Sequence, residues 1–288
     1  MPAPPNGKTI QLKDGRQLGY AEYGDRAGRP VFLFQGTPSS RLIHPDDSIT
    51  RSLGARLIMI DRPGFGLSDF QPGRTLLDWP DDVAEVADLL DLDRFAVVGV
   101  SGGGPYVAAC AYRLPDRLTA AAIVGGAGPA DAPGVMDGMP RFRRAGAAIA
   151  RRAPFLLPPL IWLLQNPQRD PERFFQRYTA HNPPADRALL DQPEFQQMLK
   201  ASYAEATRQG IRGFAWEVRL VSNPWGFRLE DIPIEVHLWH GEEDNSTPKA
   251  MAQHMASTIP NCTVTFVPGE GHFLLFTHWR RILATLIS

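Results

Sequence analysis

Short apolar runs alternate with helical patterns along most of this chain, and that alternation confines it to a largely parallel sheet covered by helices. Alternating residues at 8–12 and 17–23 around Asp14-Gly15 predict a β-hairpin, and 30–34 reads as a buried strand. Further strands are expected at 55–61, 94–100, 118–124, 234–239 and 263–266, with helices at 75–90, 102–113, 248–257 and 273–287. The rhythm breaks after Gly125-Gly126. From 128 to 228 the chain shows amphipathic helical patterns with prolines and no strong strand run. The expected architecture is an α/β fold with a mostly parallel eight-stranded sheet formed by 1–127 and 229–288, and a helical cap inserted at 128–228. Binding groups in such sheets gather at the C-terminal ends of the strands.

Composition narrows the partners. With 30 basic and 31 acidic residues the formal charge is −1, so no overall field draws the chain to nucleic acid or to an anionic membrane. A small-molecule substrate is expected, with the protein a monomer or homodimer. Cys110 and Cys262 are too few for a disulfide framework. The first residues form a proline-rich lead-in without the features of a secretory signal, and a cytoplasmic location is the expectation. The apolar segment 155–164 is far shorter than the roughly 20 residues that span a bilayer.

Gly99-Val100-Ser101-Gly102-Gly103 falls where a buried strand turns directly into a helix. In that setting G-x-S-x-G presents a serine on a strained turn, with small neighbours leaving it room and the helix start favouring nearby negative charge. The competing explanation is a glycine-rich helix start with Ser101 as its N-cap. A serine hydroxyl needs a base in reach and a third group to hold that base. His272, in Gly269-Glu270-Gly271-His272-Phe273 after the last strand, is the candidate base. His237 and His240 flank a strand, His254 and His278 fall within helices, and His44 and His181 sit in polar loop or lid segments. Asp244, in Trp239-His240-Gly241-Glu242-Glu243-Asp244 after the preceding strand, is favoured as the orienting acid over Glu242 and Glu243. The alternative is that all three acids cap the following helix. No clustered histidine and carboxylate spacing suggests a metal, and no cofactor is expected.

With these blocks in place, the chain resembles the α/β-hydrolase superfamily, in the cap-bearing branch of esterases, haloperoxidase-like enzymes and C–C bond hydrolases. Gln35-Gly36-Thr37-Pro38, Asp61-Arg62-Pro63-Gly64-Phe65-Gly66-Leu67-Ser68, the 99–103 block and the loops of Asp244 and His272 carry the resemblance. It implies an oxyanion hole from the backbone N–H groups of Thr37 and Gly102. The first block of the family usually begins with histidine, and Gln35 replaces it here. That change should alter the bonding of the loop or the surface facing substrate and spare the backbone donors. The second block is expected to be structural, with Asp61 bonding nearby backbone.

The apolar stretch at 154–164 suggests a pocket wall, with Leu160 and Trp162 joining Gln35 and Gly36 around an apolar acyl or alkyl group. Arg141, Arg143, Arg144, Arg151 and Arg152 form either a solvated face or a docking patch for an anionic substrate or acidic carrier. The leading function is cleavage of a carboxylic ester, or a related thioester or lactone, through an acyl-enzyme on Ser101. Serine rather than aspartate at the elbow argues against haloalkane dehalogenase and epoxide hydrolase chemistry. The alternative is a ligand-binding protein or biosynthetic cyclase on the same fold.

Overall fold

The computed structural model describes residues 7–288 apart from Gln165 and His181. Residues 1–6 of the expected lead-in at 1–7 and the lid position of His181 therefore lie outside the described residues. Eight strands form one sheet: β1 (Lys8–Gln11), β2 (Gln17–Gly24), β3 (Arg29–Phe34), β4 (Ala55–Ile60), β5 (Phe95–Val100), β6 (Leu118–Val124), β7 (Val236–Gly241) and β8 (Cys262–Val267). Their spatial order is β1-β2-β4-β3-β5-β6-β7-β8. Only the β1–β2 and β2–β4 pairings are antiparallel.

Successive side chains on a strand point to opposite faces, so each buried run supplies two core layers. Phe32, Phe34, Val97, Ile123 and Leu238 pack on one face against α2 (Asp78–Leu89), α3 (Gly104–Arg113) and α10 (Lys249–Thr258). Val31, Leu33, Leu57, Val98 and Val124 pack on the other against Trp279, Ile282 and Leu283 of α12 (Trp279–Leu286). The Trp279 indole N–H donates to Thr50 Oγ1 at 2.9 Å, which pins α12 to α1 (Asp47–Ser52).

Three elements differ from the expected ones. Helix α1 has no counterpart among them; Asp46 caps it by accepting from the Ser48 and Ile49 N–H groups. The predicted C-terminal helix divides into α11 (Leu274–Thr277) and α12, with His278 at the join. Strand β7 also runs on to Gly241, so His237 and His240 lie within it.

Between β6 and β7 the described chain contributes helices only: α4 (Arg141–Arg152), α5 (Leu157–Leu164), α6 (Pro171–Thr179), α7 (Pro184–Leu190), α8 (Pro193–Ala206) and α9 (Arg212–Ser222), with single 3-10 turns. Pro171, Pro184 and Pro193 start α6, α7 and α8 at positions whose N–H would have no helical partner. Two small cores hold this insertion. Phe174, Phe175, Leu190, Phe195, Leu199 and Tyr203 gather with Ile43 and Phe273 from the sheet domain. Ala150, Leu157, Ile161, Phe214 and Ala215 gather around Phe65.

Candidate active site

Strand β5 delivers Ser101 into a tight turn where its φ is +55°, a left-handed conformation that a serine adopts only when its surroundings enforce it. The enforcement is steric. A Cβ on Gly99 would strike the carbonyl of Gly103, and one on Gly103 would strike that of Phe34. A Cβ on Gly36 would stand 3.2 Å from Ser101 Cβ, and one on Gly102 would stand 2.5 Å from Thr37 Oγ1 and 3.4 Å from Thr37 N. The glycines thus bring the 35–38 loop against the serine and set the Thr37 and Gly102 peptide groups side by side.

His272 and Asp244 meet at the ends of β7 and β8. The His272 ring nitrogen Nδ1 lies 2.8 Å from Asp244 Oδ2, and both residues are buried. The Asp244 carboxylate is filled further: Oδ1 accepts from the Ser246 and Thr247 N–H groups at 2.7 and 3.0 Å, and Oδ2 from the Thr247 hydroxyl at 2.7 Å. Burial opposes ionisation of Asp244, but attraction to His272 and these bonds hold its pKa down to about 2. For His272, burial opposes charge, yet the Asp244 carboxylate outweighs it and lifts the imidazole above its ordinary value. Nδ1 is therefore the protonated nitrogen, leaving Nε2 as the basic one. Glu242, one of the two alternative acids, pairs with Lys249 at 2.6 Å on the surface.

Ser101 and His272 line one narrow cavity, together with Gln35, Gly36, Thr37 and Phe273. Its wall from the insertion is Tyr178, Leu199 and Tyr203. The expectation for Leu160 and Trp162 does not hold. Neither lines the cavity, and Trp162 is 54% exposed, with the Arg169 guanidinium 5.3 Å from its ring. Helix α5 turns Leu157 and Ile161 inward, one turn apart, and that choice of face directs Trp162 outward. The true wall residues sit on α6 and α8 at ordinary helical spacing, which in the sequence signals only a core-facing stripe.

Gln35 is buried and its amide donates to the Ile60 carbonyl at 3.0 Å, so it shapes the loop from within. Asp61 accepts from the N–H groups of Arg41 and Leu67 at 2.7 and 3.1 Å, and from the Arg41 guanidinium at 2.5 Å. Arg62 binds the carbonyls of Gln35 and Gly36 and the Thr37 hydroxyl. Its other partner is Glu217 of α9, 3.1 Å away and fully buried, which also accepts from Arg74 and Tyr106. The insertion therefore reaches the 35–38 loop through Arg62. Nothing in the local sequence of Glu217 signals that partnership. Of the arginine cluster, Arg143 donates to the Ser246 carbonyl at 2.9 Å beside the Asp244 loop, while Arg141, Arg144, Arg151 and Arg152 are exposed.

Among the described residues no group of three or more His, Cys, Asp or Glu side chains is placed to hold a metal ion, and no helix is long and apolar enough to cross a membrane.

Comparison with known proteins agrees with the fold. The chain is 30% identical over 286 residues to a non-heme chloroperoxidase of Streptomyces lividans, covering 94% of each chain. A hydrolase from Pseudomonas aeruginosa PA01 superposes with a TM-score of 0.73 at 19% identity, covering 99% of this chain and all of the other. An esterase from Rhodococcus sp. ECU1013 gives 0.69 at 23% identity over 98% of both. A family model described as the alpha/beta hydrolase fold matches residues 29–278, and the chain belongs to that family.

Proposed function

We propose that the protein cleaves a carboxylic ester of a small, largely apolar substrate through an acyl-enzyme on Ser101. The observation that carries this reading is the Asp244–His272 pair opening onto the same cavity as a serine held at φ +55°. His272 Nε2 takes the Ser101 proton as the hydroxyl attacks the carbonyl carbon, then returns it to the leaving alcohol; water repeats the sequence to release the acid. Asp244 keeps the imidazole in the required tautomer and stabilises its charged form. The oxyanion of each tetrahedral intermediate is received by the N–H groups of Thr37 and Gly102, donors that in comparable sites lower the barrier by roughly 3–4 kcal/mol apiece. In the structure Ser101 and His272 share a cavity without a direct hydrogen bond among the described residues, as is common before substrate tightens such sites. The Rhodococcus esterase supports hydrolytic chemistry on this fold, and the non-heme chloroperoxidase is named for a different chemistry; neither chooses the substrate.

The cavity walls of Leu33, Ile43, Leu199 and Phe276 suit an acyl chain, and its volume of about 40 Å³ suits a short one. Release of nitrophenol from acetyl, butyryl and octanoyl esters, by the native chain and by Ser101→Ala, tests the proposal. Turnover should fall with chain length, and Ser101→Ala should lower kcat by about four orders of magnitude or more. Activity that survives the substitution would remove the acyl-enzyme from consideration.

A further inference from the structure

Asp186 lies on α7 of the insertion and does not line the cavity, yet it grips the loop that carries His272. The His272 N–H donates to its Oδ2 at 3.1 Å and the Phe273 N–H to its Oδ1 at 3.0 Å. Asn182 Nδ2 donates to Oδ2 at 2.8 Å. The carboxylate is buried, and among the described residues it has no arginine, lysine or histidine side chain paired with it. A buried carboxylate without a countercharge is tolerated only when N–H groups fill its lone pairs, and here the loop of the base supplies two of the three.

The loop is shaped for this contact. A Cβ on Gly271 would fall on Asp186 Oδ1, so the residue before His272 is glycine where the carboxylate needs the space. Each carboxylate of the pair Asp244 and Asp186 thus holds a different part of the same residue, one the ring and the other the main chain.

We propose that Asp186 is a positioning residue for His272: by clamping the main chain of the base it fixes the ring between Asp244 and the cavity, and it makes that placement depend on α7 being docked. The proposal rests on the reading of His272 as the base. It gives the insertion a part in proton transfer beyond forming a pocket wall.

The charged and titratable groups that act on the His272 ring are Asp244 after β7, Asp186 from α7, Arg143 from α4 and His240 within β7. Asp244 and Asp186 favour the imidazolium; Arg143 and burial oppose it. Asp186→Asn keeps the shape, removes one of the two anions and leaves one loop N–H facing an amide. The His272 midpoint should then fall by about one pH unit, the acid limb of kcat/KM should move with it, and kcat should drop while KM stays near native. A carboxylate that acted on the ring through its charge alone would lower the midpoint and leave the kcat plateau above it at the native value, so the drop in kcat is the readout that marks positioning.

The measurement is an NMR titration of ¹⁵N-histidine-labelled protein, the His272 signal assigned by its loss in His272→Gln, for the native chain, Asp186→Asn, Gly271→Ala and Asp191→Asn. Gly271→Ala retains the carboxylate but forces it away from the loop, and carries the test if Asp186→Asn does not fold; its midpoint should also fall. Asp191→Asn removes an exposed charge at the end of the same helix and should titrate with the native chain. A midpoint unchanged in Asp186→Asn, or moved as far in Asp191→Asn, would overturn the proposal. Because the titration needs no turnover, a chain that cleaves no ester would defeat the reading of function while leaving this test intact.

Discussion

Helices α7–α9 meet the sheet domain through buried polar side chains, whereas α5 and the turn before it leave large apolar side chains in solvent. On the first side, Asp186 holds the base loop, Ser202 of α8 bonds Ser39 and Ser40, Glu205 pairs with Arg41 at 2.8 Å, and Glu217 joins Arg62, Arg74 and Tyr106. On the second, Phe155 is 75% and Leu163 59% exposed, with Trp162 beside them. Only Leu157 and Ile161 of α5 are buried. The insertion is therefore not one uniform lid. Its α7–α9 part is fastened to the loops around Ser101 and His272 by groups that are costly to separate, since an ion pair broken in the interior leaves an uncompensated charge. Its α5 part is attached by a narrow apolar stripe.

Breaking the fastened side should have the largest effect. Glu217→Gln leaves Arg62 and Arg74 buried with one carboxylate fewer and should cost about 3–5 kcal/mol, read as a lower midpoint in denaturant. Burial works against the Glu217 charge, but Arg62 and Arg74 outweigh it and hold the carboxyl below its ordinary value. A group depressed in the folded state contributes stability above its unfolded pKa and loses it as pH falls through the folded one. The native chain should therefore lose this contribution on acidification below the ordinary carboxylate range, and Glu217→Gln should show a flatter acid dependence. Equal slopes would place the pair outside the stability of the fold.

A smaller loss is expected from Ser202→Ala. It strips the Ser40 N–H and the Ser39 hydroxyl of a buried partner, at a cost of about 1–3 kcal/mol in the same measurement. The smallest effect belongs to α5: Trp162→Ser and Leu163→Ser should each change stability by less than about 0.5 kcal/mol and leave kcat/KM for a short ester at the native value. A large loss there would erase the distinction between the two parts.

This division also separates what is legible in the sequence from what is not. Ser101, Asp244 and His272 each follow closely on a strand that the sequence pattern marks, so strand ends and the chain order of the fold bring all three to one edge of the sheet, with Glu242 and Glu243 left as alternatives to Asp244. Thr37 and Gly102 are legible only through the resemblance to the family, whose oxyanion donors fall on these two positions. Asp186, Ser202 and Glu217 give no such signal. Each sits on an amphipathic helix, where periodicity marks the inward stripe but cannot say which distant loop it meets. The misplacement of Leu160 and Trp162 has the same origin, since α5 is apolar on nearly every side and only its packing against Phe65 and Phe214 decides which side turns inward.

Everything proposed for the cavity depends on Ser101 being a nucleophile activated by His272. Reaction with a fluorophosphonate followed by peptide mass mapping reads that property without any choice of substrate. A single adduct is expected on the peptide containing Ser101, formed by the native chain and lost in Ser101→Ala, with labelling strongly slowed in His272→Gln. An unlabelled native chain, or an adduct on another residue that persists in Ser101→Ala, would contradict it.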